Sequence, residues 1–152
     1  MEWMLLPLRR YATTSGRSRR KEYWMFYLFF ILGSAILAAI DDAAGLVRND
    51  TGVLSGIFGL ATLVPGVAVT VRRLHDTDRS GWWILAPLGA MIAGVALMAV
   101  NVWVGMAVLI AGVAVTGIAL LVFLCQDGTH GDNRFGPDPK GPDDQGLSEI
   151  FA

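Results

Sequence analysis

The chain has 152 residues, 54% of them apolar and only 16% charged, and its mean hydropathy is +0.52. A water-soluble domain carries about a quarter charged residues, so these values exclude an ordinary soluble fold and point to a membrane protein. The net charge of -1 sums a basic front and an acidic tail, and one cysteine, Cys125, excludes an internal disulfide and a Cys-rich metal site.

Residues 1–21 form an arm with six basic residues: Arg9, Arg10, Arg17, Arg19, Arg20 and Lys21. Its apolar opening, 3–8, is too short to span and is expected to lie in the membrane interface. A basic cluster also suits nucleic acid. Here it abuts a membrane span and reads as a positive-inside anchor, with no nucleic-acid partner. Ser18 is the expected N-cap of the helix that follows.

The first span is expected over about 22–40. Aromatic residues crowd its start, with Trp24 as an interfacial anchor, and Asp41-Asp42 should end it in water. A polar link with Arg48 as its only basic residue leads to a second span, about 53–71. Pro65-Gly66 predicts a kink or break there. Next comes the most polar stretch, Arg72-Arg73-Leu74-His75-Asp76-Thr77-Asp78-Arg79-Ser80-Gly81-Trp82-Trp83. From Trp82 to Leu124 no residue is Asp, Glu, Lys, Arg or His, a run of 43. A helical span needs about 20 apolar residues, so the run holds two spans, about 82–100 and 102–124, turning at Asn101. Gly105, Gly112 and Gly117 predict close helix packing. The tail, 126–152, is rich in Gly, Pro and Asp and should be disordered beyond about Pro139.

The fold class is therefore all-α: an integral membrane bundle of about four helices (22–125) between a basic arm (1–21) and a polar tail (126–152). With four spans, the arm, the central polar stretch and the tail share one side and hold eleven of the twelve Lys and Arg residues. Basic residues favour the cytoplasmic face, so both termini are expected inside. A three-span arrangement would move the tail across; the length of the apolar run decides for four.

The central stretch admits several chemistries. His75, Asp76 and Asp78 are suitable metal-ligand types, but their spacing matches no metal motif, and no metal or cofactor is expected. His75 tuned by Asp76 is an acid–base pair in principle, with no nucleophile motif nearby. Arg72, Arg73 and Arg79 suit anionic lipid head groups. The favoured reading is a helix–helix connector. In it Asp76 or Asp78 pairs with an arginine, Thr77 or Ser80 caps the next helix, and Trp82 and Trp83 anchor the turn at the interface.

Four segments together resemble the DUF805 domain family, bacterial inner-membrane proteins of the YhaH type. They are Gly16-Arg17-Ser18-Arg19-Arg20-Lys21-Glu22-Tyr23-Trp24, the run from Arg72 to Ser80, Gly81-Trp82-Trp83, and Asn133-Arg134-Phe135-Gly136-Pro137-Asp138-Pro139. The resemblance covers roughly 1–140. It implies a small multi-pass protein of the bacterial inner membrane, with no enzymatic activity, catalytic residue or cofactor to carry over. The resulting expectation is a non-enzymatic protein that binds anionic phospholipid or a partner protein, a second copy of the chain included, through Arg72, Arg73, His75, Asp76, Asp78, Arg79 and Arg134 on its cytoplasmic face. A small-solute transporter or channel subunit is the first alternative, and a membrane enzyme using His75 and Asp76 the second.

Overall fold

The computed structural model describes residues 2–48 and 51–140. Five helices follow in order: α1 (Glu2–Arg9), α2 (Arg20–Ala43), α3 (Val53–Asp76), α4 (Ala86–Met98) and α5 (Val102–Cys125). A two-residue antiparallel pairing, β1 (Val47–Arg48) with β2 (Thr51–Gly52), closes the link between α2 and α3. A 3-10 turn, Gly81–Leu85, leads into α4. Among the described residues, four segments are long and apolar enough to cross a membrane: α2, α3, the 3-10 turn with α4, and α5. The part of the tail expected to be disordered, from 141 on, lies outside the described residues.

The spans pair as two hairpins. α2 lies along α3, and α4 lies along α5. Small residues set the second pair close. A Cβ added at Gly94 would meet the Leu109 backbone, and one at Gly105 would meet that of Met98. Gly112 faces Ala90, whereas Gly117 has open space around it and has no part in packing. Between the hairpins, contact is slight except at one end. There Tyr23 and Phe26 of α2, Val69 and Leu74 of α3, and Leu124 of α5 form the buried apolar cluster, with Leu8 of α1 against it. We call this the basic end. Elsewhere the large apolar side chains of the spans point outward, as in a protein whose solvent is hydrocarbon.

Three boundaries differ from expectation. First, α2 does not stop in water at Asp41-Asp42 but runs to Ala43, and Asp41 is fully buried. Its carboxylate accepts hydrogen bonds from Leu54 N, Ser55 N and Ser55 Oγ, each at 2.9 Å. The first amides of a helix have no partner within it, and Gly52, the N-cap of α3, has no side chain to offer. Asp41 reaches across from α2 to do that work, favoured by the helix dipole. A Cβ at Gly52 would collide with that carboxylate, which explains the glycine.

Second, α3 is an unbroken helix through Pro65 and beyond Val71 to Asp76. Proline removes the donor that would bond the carbonyl four residues back, here that of Ala61. The Tyr11 hydroxyl donates to Ala61 O at 3.0 Å. The arm thus does not stay flat in the interface: α1 packs on α2 and α3, and Tyr11 reaches a carbonyl eleven residues before Arg72. Third, Ser18 does not cap α2. Its N–H donates to Arg72 O at 3.1 Å, and Arg19 stands at the N-cap with no side-chain capping bond.

Candidate functional site

The connector between the second and third spans is only residues 77–80, because Arg72, Arg73, His75 and Asp76 belong to the last turns of α3. The helix ends in a Schellman motif: Arg79 N donates to Leu74 O and Asp78 N to His75 O, both at 3.0 Å. The left-handed position is usually glycine. Here it is Asp78 at φ 55, an acid that tolerates this region. Ser80 Oγ accepts from Trp82 N, so the expected cap of the next helix is observed. Trp24, Trp82 and Trp83 are all substantially exposed at this end, and Trp83 meets Phe123 of α5 edge-on at 5.3 Å.

Two long helices, α3 and α5, end here side by side, and each leaves carbonyls without intrahelical donors. At the end of α5 arginines supply the donors, as the negative end of the dipole favours, whereas at the end of α3 Ser18 N, Thr129 N and Asn133 Nδ2 do so. Arg73 Nε donates to Leu124 O at 3.1 Å, Arg73 Nη2 to Gln126 O, and Arg20 Nη1 to Cys125 O at 3.2 Å. Arg73 Nη1 also pairs with Asp76 Oδ2, and Arg17 Nε pairs with Asp76 Oδ1 at 3.0 Å. These three ionic side chains are at most 2% exposed. Beside them Arg72 Nη2 pairs with Glu22 Oε1 at 3.1 Å, again fully buried. Arg72 Nε and Nη1 have no acceptor among the described residues.

The tail folds over this node. Thr129 N donates to Asp76 O at 2.8 Å, while Arg17 reaches the carbonyls of Thr129 and Gly131. A Cβ at Gly128 would strike the Asp76 carboxylate. Residues 133–136 form a tight turn in which Asn133 and Gly136 exchange backbone hydrogen bonds. The Asn133 amide is fully used: Oδ1 accepts from Phe135 N, and Nδ2 donates to His75 O and Thr129 Oγ1, each at 2.9 Å. Phe135 stacks flat on His75, centroids 3.9 Å apart. Arg134, largely exposed, pairs with Asp78 at 3.1 Å and lies over the Phe135 ring. Arg79 lies over Phe123 at 4.0 Å.

Several expected roles change. Arg72 and Arg73 do not face head groups, since both are buried and held by protein acceptors. His75 and the Asp76 carboxylate are not brought together as an acid–base pair: Asp76 is engaged by Arg17 and Arg73, and His75 Nδ1 lies 3.3 Å from Gly16 O. The expected pairing of Asp76 or Asp78 with an arginine of the stretch is met by Asp76 with Arg73, while Asp78 pairs with Arg134. Among the described residues, no three His, Cys, Asp or Glu side chains are grouped to hold a metal. Arg17, Glu22, Asn133 and Phe135 were not singled out by sequence reasoning, although each lies in a quoted segment.

The fold and this site define a class: a multi-span integral membrane protein whose charged groups are drawn together at one end of two helical hairpins. More particularly, the chain belongs to the family described as "Protein of unknown function (DUF805)", whose model matches residues 11–137. That match runs from Tyr11 through the 133–136 turn and takes in every part of the site. The chain is 41% identical over 141 residues to "Inner membrane protein YhaH" of Escherichia coli (strain K12), covering 92% of this chain and 98% of that one. It is 41% identical to "Inner membrane protein YhaI" of the same strain over 140 residues, 92% and 97% of the two chains. The "Uncharacterized protein YiiR" of that strain is 32% identical over 133 residues, 81% of this chain and 83% of its own length. No solved structure matches.

Proposed function

We propose that the chain is a non-enzymatic membrane protein of the bacterial cytoplasmic membrane whose basic end lies inside and holds anionic phospholipid head groups. The observation that carries this reading is a hollow of about 390 Å³ lined by Arg20, Lys21, Trp24, Met25 and Cys125. It combines Lys21 and Arg20, whose guanidinium also pairs with Asp127, with an aromatic ring and apolar walls at the start of α2, where head-group depth is expected. Arg79 and Arg134 add partly exposed charge nearby, whereas Arg17, Arg72 and Arg73 serve the fold. The charge distribution supports the orientation, because Arg48 alone marks the opposite end.

Each basic residue near an anionic surface contributes about 1 kcal/mol, so Lys21 with an Arg20 partly neutralised by Asp127 corresponds to a preference of roughly 5- to 10-fold. The test is partition of labelled phosphatidylglycerol against phosphatidylcholine onto the purified chain in mixed micelles. The parent should prefer phosphatidylglycerol, and Arg20→Gln with Lys21→Gln should lose that preference. Equal binding of both lipids by the parent contradicts the reading. The alternatives have less support. Of the span hydroxyls available to a solute path, Thr62, Thr70 and Thr116 turn back onto carbonyls of their own helices and Ser55 donates to Asp41, which leaves Ser34 without a partner among the described residues. An enzyme using His75 with Asp76 lacks that contact.

A further inference from the structure

Three hollows surround one flank of α3. The first, about 290 Å³, lies between α2 and α3; a second, about 200 Å³, lies between α3 and the arm; the third, about 440 Å³, opens at the basic end. They adjoin one another. The first and second share Leu63 and Val67, the second and third share Thr14, and the third and first share Ile84. The result is a trough with two apolar branches and one polar mouth. At the mouth stand the hydroxyls of Thr14 and Ser80 and the half-buried ring of His75, stacked on Phe135, with Trp82 also lining it.

Its length is informative. From Gly59 to His75 the helix advances sixteen residues, about 24 Å at 1.5 Å per residue. A bilayer with its head-group regions is about 40–45 Å thick, so the trough is about as deep as one leaflet with its head group. The Tyr11–Ala61 hydrogen bond holds the arm against α3 as one wall, making the second branch a feature of the fold.

We propose that this trough holds one diacyl phospholipid, its two chains in the two apolar branches and its phosphate and glycerol region at Thr14, Ser80 and His75. Two branches meeting at one polar mouth match the shape of that molecule. A small polar solute would leave both branches empty. The site is separate from the Arg20–Lys21 hollow and requires only that the chain crosses a bilayer.

The test is native mass spectrometry of the full chain after exhaustive detergent washing, counting phospholipid retained per chain. The parent should keep one. Val67→Trp, which fills both branches, should cut retention at least tenfold. Leu121→Trp, a control on the outward face of α5, should keep it. A parent that retains none, or a folded Val67→Trp that retains as much as the parent, overturns the proposal. A second measurement needs no variant: a phospholipid with a photoreactive group in one chain, added to the parent, should label the flank of α3 around Leu63 and Val67. Labelling spread evenly over α4 and α5 would also overturn it. Arg20→Gln with Lys21→Gln separates the two sites. It should abolish anionic preference while the washed chain keeps its one lipid.

Discussion

Replacing Asp76 by Asn tests the ionic node most directly. The change preserves shape and one oxygen acceptor but removes the charge that Arg17 and Arg73 share. Both guanidiniums are at most 1% exposed, so water cannot replace the carboxylate without opening the site. Removing one partner of a buried ion pair costs about 3–5 kcal/mol, because the remaining charge is left uncompensated. Here two cations are left and some carbonyl contacts remain, so we expect a loss within that range. Whole domains are stable by only about 5–15 kcal/mol, so the effect is large. Equilibrium unfolding of the parent and Asp76→Asn in mixed micelles measures it, with proteolysis after 126 reporting whether the tail has lifted. A loss under about 1 kcal/mol, the value of an exposed pair, would refute the reasoning and mean that the node is hydrated.

Other outcomes follow from the same structure. Glu22→Leu alone should destabilise by about 3–5 kcal/mol, whereas Glu22→Leu with Arg72→Met should recover most of the loss. Additive losses in the unfolding titration would contradict that. Tyr11→Phe leaves Ala61 O without its donor and should cost about 1–3 kcal/mol; the same change in a Pro65→Ala background, where an amide is restored, should cost less. The Asp138 carboxylate accepts from Lys140 N at 2.8 Å and Gly131 N at 3.0 Å. These bonds, Lys140 first, hold its pKa below the ordinary 3.8. Folding is therefore supported by the ionised form above 3.8, and that support is lost as pH falls through the lowered value. Amide shifts of Gly131 and Lys140 in an NMR titration should move with a midpoint below the ordinary carboxylate value, and a midpoint above it would contradict this.

The spans were legible because hydropathy and length alone set them, and the Asn101 turn caps α5 through Oδ1 to Trp103 N and Val104 N. The inward turn of Arg72 and Arg73 was not legible. Adjacent arginines at a span's end look like interface residues until the ends of α3 and α5 are known to lie side by side. Then their unmatched carbonyls require donors. The extension of α3 to Asp76 was hidden because its left-handed cap is Asp78 where a glycine would have announced it. Arg17 was missed because most of its partners are backbone carbonyls more than 110 residues away. Some signals were present. Pro65 orphans the Ala61 carbonyl and so demands a donor from elsewhere. Asn133 and Gly136 at that spacing predict a turn. Asp41 faced the same question as any acid near a helix N-terminus lacking a capping side chain.

The central claim is that arm, α3 end and tail form one clasp on the cytoplasmic side. Reporters fused before Met1 and after Ala152, with a thiol label at Arg48→Cys applied to intact cells, test it most directly. The account predicts both fused reporters inside and the label outside. A reporter after Ala152 found outside would separate the tail from the arm across the membrane and contradict it.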